Sequence, residues 1–352
     1  MADVYEVLDE ALSRLHHTGP EFAGRLSNHA PMVVEAMVRR GHADDVPRWV
    51  DWYSTRLDEA VHPSDGIHAA QWRDALGDPS RLADWMSFFS NELSQSSWND
   101  VLLTWWPRLL PGLAASATHA IIRLGHAVKT IREQGESGER IQEIGQALAY
   151  WSARWLPVPN KSPATGKSAP VEALSRLPAL GANDDVFATL LERLGRDPRW
   201  PAAEASIEPV DDPAVAQAQL VDLVTATTLH YRTHGHGNPI MLVHAATAPN
   251  AVLRVLPSLP EEMWVPSTQT AWVASAAIIT IYNPEFAGKP TDRGSLGSGP
   301  STTVDLFAQA VAHRDEHAIK FADTAIDVFE RTEDTRSIRA AQHAMNLIEP
   351  ES

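Results

Sequence analysis

Apolar residues recur three and four positions apart along almost the whole chain. Val4, Leu8, Leu12 and Leu15 trace one helix face, and Val46, Trp49, Val50, Tyr53 and Leu57 trace another. No segment of useful length shows the two-residue alternation of a half-buried strand. The spacing predicts helices over 3–17, 31–41, 45–60, 79–94, 98–110, 112–134, 138–155, 184–195, 213–233, 239–256, 267–282, 302–331 and 335–348, hence an all-α fold of about a dozen helices. Turn chemistry marks the boundaries. Ser27-Asn28 ahead of Pro31 reads as an N-cap and a first-turn proline, and Asp78-Pro79-Ser80 and Asp212-Pro213 read alike. Prolines are expected at helix ends and not in their middles.

Two stretches break the pattern. Pro157 to Pro170, rich in Pro, Ser and Lys, is a loop. At roughly 150 residues per domain the 352 residues make two domains or one large helical one. We take 1–352 as a single all-α domain, with the loop 157–170 as the place where two helical halves would join. The second stretch, 283–301, has many small residues and no periodicity, and is expected to be a long mobile loop.

Charge and composition narrow the function classes. The net charge of −16 disfavours nucleic acid and anionic lipid as partners. The N-terminus, MADVYEVLDEALSRL, lacks the basic flank and apolar core of a secretory signal. The longest weakly polar run, Thr270 to Tyr282, is shorter than the ~20 residues of a spanning helix. A soluble, cytoplasmic protein with no membrane partner is therefore expected. There are no cysteines, which removes disulfides, thiolate nucleophiles, iron–sulfur clusters and Cys-type zinc sites. Fifteen histidines remain, so a bound transition metal must take imidazole and oxygen ligands.

Common catalytic motifs are missing. Gly235 and Gly237 follow a helical stretch and lack a third glycine at dinucleotide-binding spacing, and GSLGSGPS lacks the Lys-Ser/Thr end of a P-loop. No G-x-S-x-G or H-E-x-x-H occurs. Neither a built-in flavin nor haem is expected.

The histidines carry most of the remaining chemistry. His29 lies at the mouth of a helix, as a cap or a ligand. His119 and His126, seven apart, share a face of an apolar helix, with Arg123 one turn from His119. A buried imidazole there needs a partner, either a core hydrogen bond or a metal. His244 is the same case. His230, His234 and His236 surround a glycine turn, where exposure is the default. His313, His317 and Lys320 fall on one helix face, opposite the stripe Val304, Phe307, Val311, Ala318, Phe321 and Ala325, so a solvated polar face explains them. The chain has only five lysines, however, against twenty-four arginines. A buried lysine can lose its proton and take up carbon dioxide as a carbamate, which arginine cannot.

The segments SNHAPMVVEAM, THAIIRLGHA, ALAYWSARWLP (Ala147 to Pro157), LVHAATAPNAV and DEHAIKFADTA, in this order between Asn28 and Ala325, resemble the questin oxidase family of fungal polyketide pathways and its bacterial relatives. The resemblance implies an all-α oxidoreductase that opens a ring of an anthraquinone- or hydroquinone-type polyketide with molecular oxygen, in Baeyer–Villiger-like chemistry, as a monooxygenase or dioxygenase. NADPH is the reductant commonly named for the family. The resemblance further implies non-haem iron(II) held between helices by four histidines and a carboxylated lysine. Motif by motif these fall on His29, His119, His244, His317 and Lys320. His126 stands where an aromatic residue is more usual, and is placed with Arg123 and Lys320 among the catalytic candidates. Trp151, Trp155 and Trp272 are the candidate substrate-lining residues, with core packing as the alternative for each. Without a nucleotide fold, NADPH would act from outside and a hydroquinone could supply electrons itself. Two other readings fit the residues: a carbamylated-lysine metal-dependent hydrolase and a non-catalytic helical interaction module.

Overall fold

The computed structural model describes residues 4–23, 26–159, 162–181, 185–289 and 300–351. Helices dominate it, as the periodicity requires, and the fold is all-α. Among the described residues the only paired strands are a short antiparallel ribbon, Glu21–Phe22 with Leu26–Ser27, in which Glu21 faces Ser27. The chain forms two units, one of Met1–Pro157 with Pro257–Leu259, the other of Val158–Leu256 with Pro260–Ser352.

The first unit holds α1 (Val4–His16), α2 (Ala30–Arg39), α3 (Val46–Ser54), α4 (Leu82–Gln95), α5 (Trp98–Leu109), α6 (His119–Gln134) and α7 (Gly138–Ala153). Helix α7 packs against α1, α4, α5 and α6, and α2 packs against α1, α3 and α6. Its core is strongly aromatic: Trp72, Trp85, Phe88 and Phe89 pack around Trp105 with ring centroids 4.9–5.5 Å from it. Edge-to-face aromatic pairs like these add roughly 0.5–1.5 kcal/mol each beyond area burial.

The second unit holds α8 (Pro170–Ser175), α9 (Phe187–Gly195), α10 (Trp200–Glu204), α11 (Pro213–His234), α12 (Pro239–Val255), α13 (Trp264–Tyr282), α14 (Pro300–His313), α15 (Glu316–Thr332) and α16 (Thr335–Leu347). Helices α11, α12 and α13 pack on one another, and α15 packs against α11, α12, α14 and α16. The short helices α8 and α10 have too few turns to show a period in the sequence. Most of the loop expected over 283–301 lies outside the described residues; of it, 283–289 is non-helical.

The helix expected over 302–331 is two helices. Arg314 takes a left-handed backbone (φ 67°). Asp315 then caps α15, its carboxylate accepting the main-chain N–H groups of His317 (2.8 Å) and Ala318 (2.9 Å). His313 and His317 are therefore on different helices, and His313 contacts the carbonyls of Met345 and Ile348 through Nε2. His317 and Lys320 are buried, so the solvated-face explanation fails.

Prolines also depart from expectation, since Pro107 and Pro249 lie inside α5 and α12. Pro249 has no N–H for the carbonyl of Ala245, four residues earlier. The hydroxyl of Ser275 on α13 donates to that oxygen instead, at 3.0 Å. Proline and serine together leave α12 satisfied in mid-helix, one turn beyond His244. The segment Pro239–Ser258, and not 270–282, is the one described helix long and apolar enough to cross a membrane, and most of it is buried in the protein.

A polar seam fixes α12 against α15. Arg254 donates to Asp323 (2.6 Å) and to Asp327 (2.7 Å), and Asn250 donates to Asp327 (2.9 Å). All four side chains are buried. Replacing Arg254 by Ala removes the guanidinium from two buried carboxylates, of which Asp327 keeps Asn250, and we expect a loss of roughly 3–5 kcal/mol in denaturant unfolding. An Arg254→Ala protein as stable as the parent would mean that the seam is not a structural lock.

Candidate metal centre

In the first unit, His29 stands at the start of α2, ahead of Pro31, whose fixed φ suits a first helical turn. Asn28 does the local anchoring: its Oδ1 accepts the N–H of Ala30 (3.0 Å) and its Nδ2 donates to the Gly19 carbonyl (3.2 Å). The His29 ring is buried and is not a cap. The main-chain N–H of His29 donates to the Tyr53 hydroxyl (3.1 Å), and its Nδ1 lies 3.3 Å from the same oxygen.

His119 opens α6, and its Nδ1 lies 2.5 Å from the carbonyl oxygen of Ser116. A carbonyl only accepts, so Nδ1 carries the proton and the neutral ring presents a lone pair at Nε2. That atom is 2.7 Å from Nε2 of His29, with the ring planes at 81°. One directional chain satisfies these contacts: Tyr53 hydroxyl to His29 Nδ1, His29 Nε2–H to His119 Nε2, His119 Nδ1–H to Ser116. Two neutral nitrogens that converge in this way can share one proton or one cation.

The turn before His119 is strained. Ser116, Ala117 and Thr118 all have positive φ, at 47°, 53° and 72°, and none is glycine. Each such residue costs on the order of 1–3 kcal/mol and persists only where its surroundings hold it.

Deeper along α6, Arg123 makes a two-point ion pair with Glu143 of α7 (Nη2 to Oε2, 2.7 Å), and Glu143 also meets His16 at 2.9 Å. Burial alone would raise the Glu143 carboxyl, but Arg123 and His16 outweigh it and hold it at about 2. His126 bonds through Nδ1 to Glu35 of α2, which also holds Arg39 (3.0 Å). Both pairs border a cavity of about 10 Å³, the size of one water. Arg123 and His126 thus tie α6 to α7 and to α2.

In the second unit, His244 of α12 and His317 of α15 are buried with ring centroids 5.4 Å apart, edge to face. Lys320, one turn beyond His317, is 1% exposed, and its Nζ has no hydrogen-bond partner among the described residues. Burial pushes its amine down to about 7, with Glu316 and Asp315 opposing. A buried amine poised near neutrality with no acceptor is what a metal or a carbamate would use. His29, His119 and His317 are all buried, and each offers a ring nitrogen that could bind a metal.

The three tryptophans differ. Trp151 is buried in the first unit and donates Nε1–H to the Gly112 carbonyl (3.0 Å); Trp155 is half-buried and packs against Gly112, where a Cβ would collide with the indole. Trp272, in the second unit, donates to the Glu204 carbonyl (2.8 Å) and borders a cleft of about 180 Å³. Of the glycine-turn histidines only His236 is exposed. His230 and His234 stack at 3.8 Å, and burial with the His234 ring holds His230 down at about 4.

Sequence reasoning missed Tyr53, Tyr150, Glu35, Glu143 and Asp315. Asp315 carried a signal, since an Asp two residues before His317 matches an N-cap. The other four come together only through long-range packing.

The family model described as Questin oxidase-like matches residues 27–325. No match was found among curated proteins.

Two pH effects follow. Glu143 titrates near 4.3 when unfolded and at about 2 when folded, so its stabilisation is present above pH ~4.3 and is lost as pH falls toward 2. Glu143→Gln is expected to cost roughly 3–5 kcal/mol at neutral pH and to flatten that acid limb. Lys320 has the opposite sign. Between about 7 and ~10.4 the unfolded amine binds more protons than the folded one, so the stability of metal-free, CO₂-free protein rises with pH across that window. Lys320→Met is expected to gain roughly 3–5 kcal/mol at pH 7 and to lose the rise. Urea titrations from pH 2 to 10 check both.

Proposed function

The chain belongs to the questin oxidase-like family, and from that premise we propose that it is a cytoplasmic, iron-dependent oxidase of an aromatic polyketide-type substrate. The ligands we assign are His29, His119, His244, His317 and Lys320. The observation that carries this reading is the convergence of the His29 and His119 Nε2 atoms at 2.7 Å, with the proton of His119 held on its other nitrogen by the Ser116 carbonyl. The Nζ of Lys320, with no hydrogen-bond partner among the described residues, supports it. Four imidazoles and one anionic oxygen suit iron and leave room for a further ligand.

Bound there, iron(II) would supply one-electron chemistry toward molecular oxygen. The chain's own residues prepare for it. Tyr53 and Ser116 fix the tautomers of the two rings, and loading a cation displaces the one proton between them to solvent. The neutral amine of Lys320 adds to carbon dioxide, forming an N–C bond and releasing a proton, and the resulting carbamate offsets one positive charge. Arg123 and His126 act here by holding α6 in place. Trp155 is the substrate contact we favour over Trp151 and Trp272, whose indole N–H groups are spent on main-chain carbonyls. A hydroquinone substrate can deliver electrons itself, with NADPH as an external reductant.

Protein purified anaerobically is expected to carry iron and to consume oxygen with anthraquinone- or hydroquinone-type substrates. Lys320→Ala and His119→Ala are expected to lose the iron while remaining folded by circular dichroism. A pair of zinc ions per chain without oxygen uptake would instead establish the carbamylated-lysine hydrolase, and full iron occupancy in Lys320→Ala would overturn the ligand set.

A further inference from the structure

We infer that Tyr150 is a positioning residue whose single phenol oxygen aims both His29 and His119. Tyr150 lies on α7 and is buried. Its hydroxyl donates to Glu21 Oε1 at 3.1 Å, and Glu21 is itself ion-paired to Arg154. That contact uses the one phenol proton, so the two lone pairs accept from the hydroxyls of Ser27 and Ser116, each at 2.8 Å. The two serine oxygens are 3.1 Å apart, which closes a triangle.

Each corner of that triangle leads to a ring. Ser27 ends the ribbon strand two residues before His29. Ser116 stands three residues before His119, and its own carbonyl fixes the His119 tautomer. Ser116 is also the first of three consecutive left-handed residues, none a glycine. Left-handed backbone at such residues relaxes toward the right-handed region unless something restrains it. The Tyr150 oxygen is the restraint that reaches Ser116 and Ser27 together. Without it the Ser116 carbonyl is free to turn away, and His119 loses the contact that keeps its Nε2 lone pair toward His29.

The inference has two readouts, and only the second rests on the metal-binding reading above. In metal-free protein labelled with ¹⁵N-histidine, His119, identified by its loss in His119→Gln, is expected in the Nδ1–H tautomer. In Tyr150→Phe it is expected as a mixture of tautomers. Cobalt(II), used as the probe, is expected to bind Tyr150→Phe roughly 10- to 100-fold more weakly than the parent. Glu21→Gln keeps an acceptor for the phenol and is expected to match the parent in both. A role confined to packing would lower the thermal midpoint of Tyr150→Phe while leaving tautomer and affinity unchanged, and that result would overturn the inference. Ser116→Ala, which removes one donor and keeps the phenol, is expected to shift both readouts in the same direction and decides the matter if Tyr150→Phe does not fold. Parent protein that binds no cobalt would refute the metal reading alone, because the tautomer measurement still stands.

Discussion

An imidazole buried in a helical core can be aimed only if its helix can neither slide nor rotate, and in this protein buried ion pairs and a buried His–Glu hydrogen bond impose that constraint. Apolar side chains pack in several registers at similar cost, because dispersion and burial are nearly non-directional. A buried charge accepts only oppositely charged or hydrogen-bonding partners in a fixed arrangement, and losing one costs several kcal/mol. Arg123 with Glu143 sets α6 against α7, His126 with Glu35 sets α6 against α2, and Arg254 with Asp323 and Asp327 sets α12 against α15. Every one of these locks lies one to three turns along a helix that carries His119, His244 or His317.

Local backbone is held by the same logic. The left-handed turn at Ser116–Thr118 and the proline in the middle of α12 are both unfavourable in isolation. Each is accommodated by a hydroxyl from another element, Tyr150 through Ser116 in the first unit and Ser275 on the Ala245 carbonyl in the second. The histidines are thus carried on segments whose geometry depends on contacts distant in sequence. That placement is typical of functional sites, where local preference yields to the demands of the site.

Much of this was legible in the chain. Helical periodicity found most of the long helices to within a few residues, because burying one face of a helix writes a 3.6-residue repeat directly into the sequence. The repeat says nothing about a break that leaves it in phase. Val304, Phe307 and Val311 continue into Ala318, Phe321 and Ala325 across Arg314, so two helices read as one until the left-handed backbone and the Asp315 cap are seen. The burial of Lys320 was foreshadowed by the scarcity of lysine. Two of the three polar residues that spacing put on one exposed face, His317 and Lys320, are buried, with His317 against His244 of α12.

By itself the sequence determined the all-α class, the absence of thiol chemistry and the motif-bearing histidines with Lys320, since residue identity and short-range spacing are local properties. Only the tertiary structure decided what those side chains meet. Arg123 and His126 are spent on glutamates, the Trp151 and Trp272 indoles on carbonyls, and His119 on the Ser116 carbonyl behind it, with Tyr53 and Tyr150 supplying hydroxyls whose partners short-range spacing does not specify. A hydrogen bond is directional to within tens of degrees and a few tenths of an ångström, and partners as distant in sequence as Ser27 and Tyr150, 123 residues apart, or Glu21 and Tyr150, 129 apart, are set by the packing of whole helices.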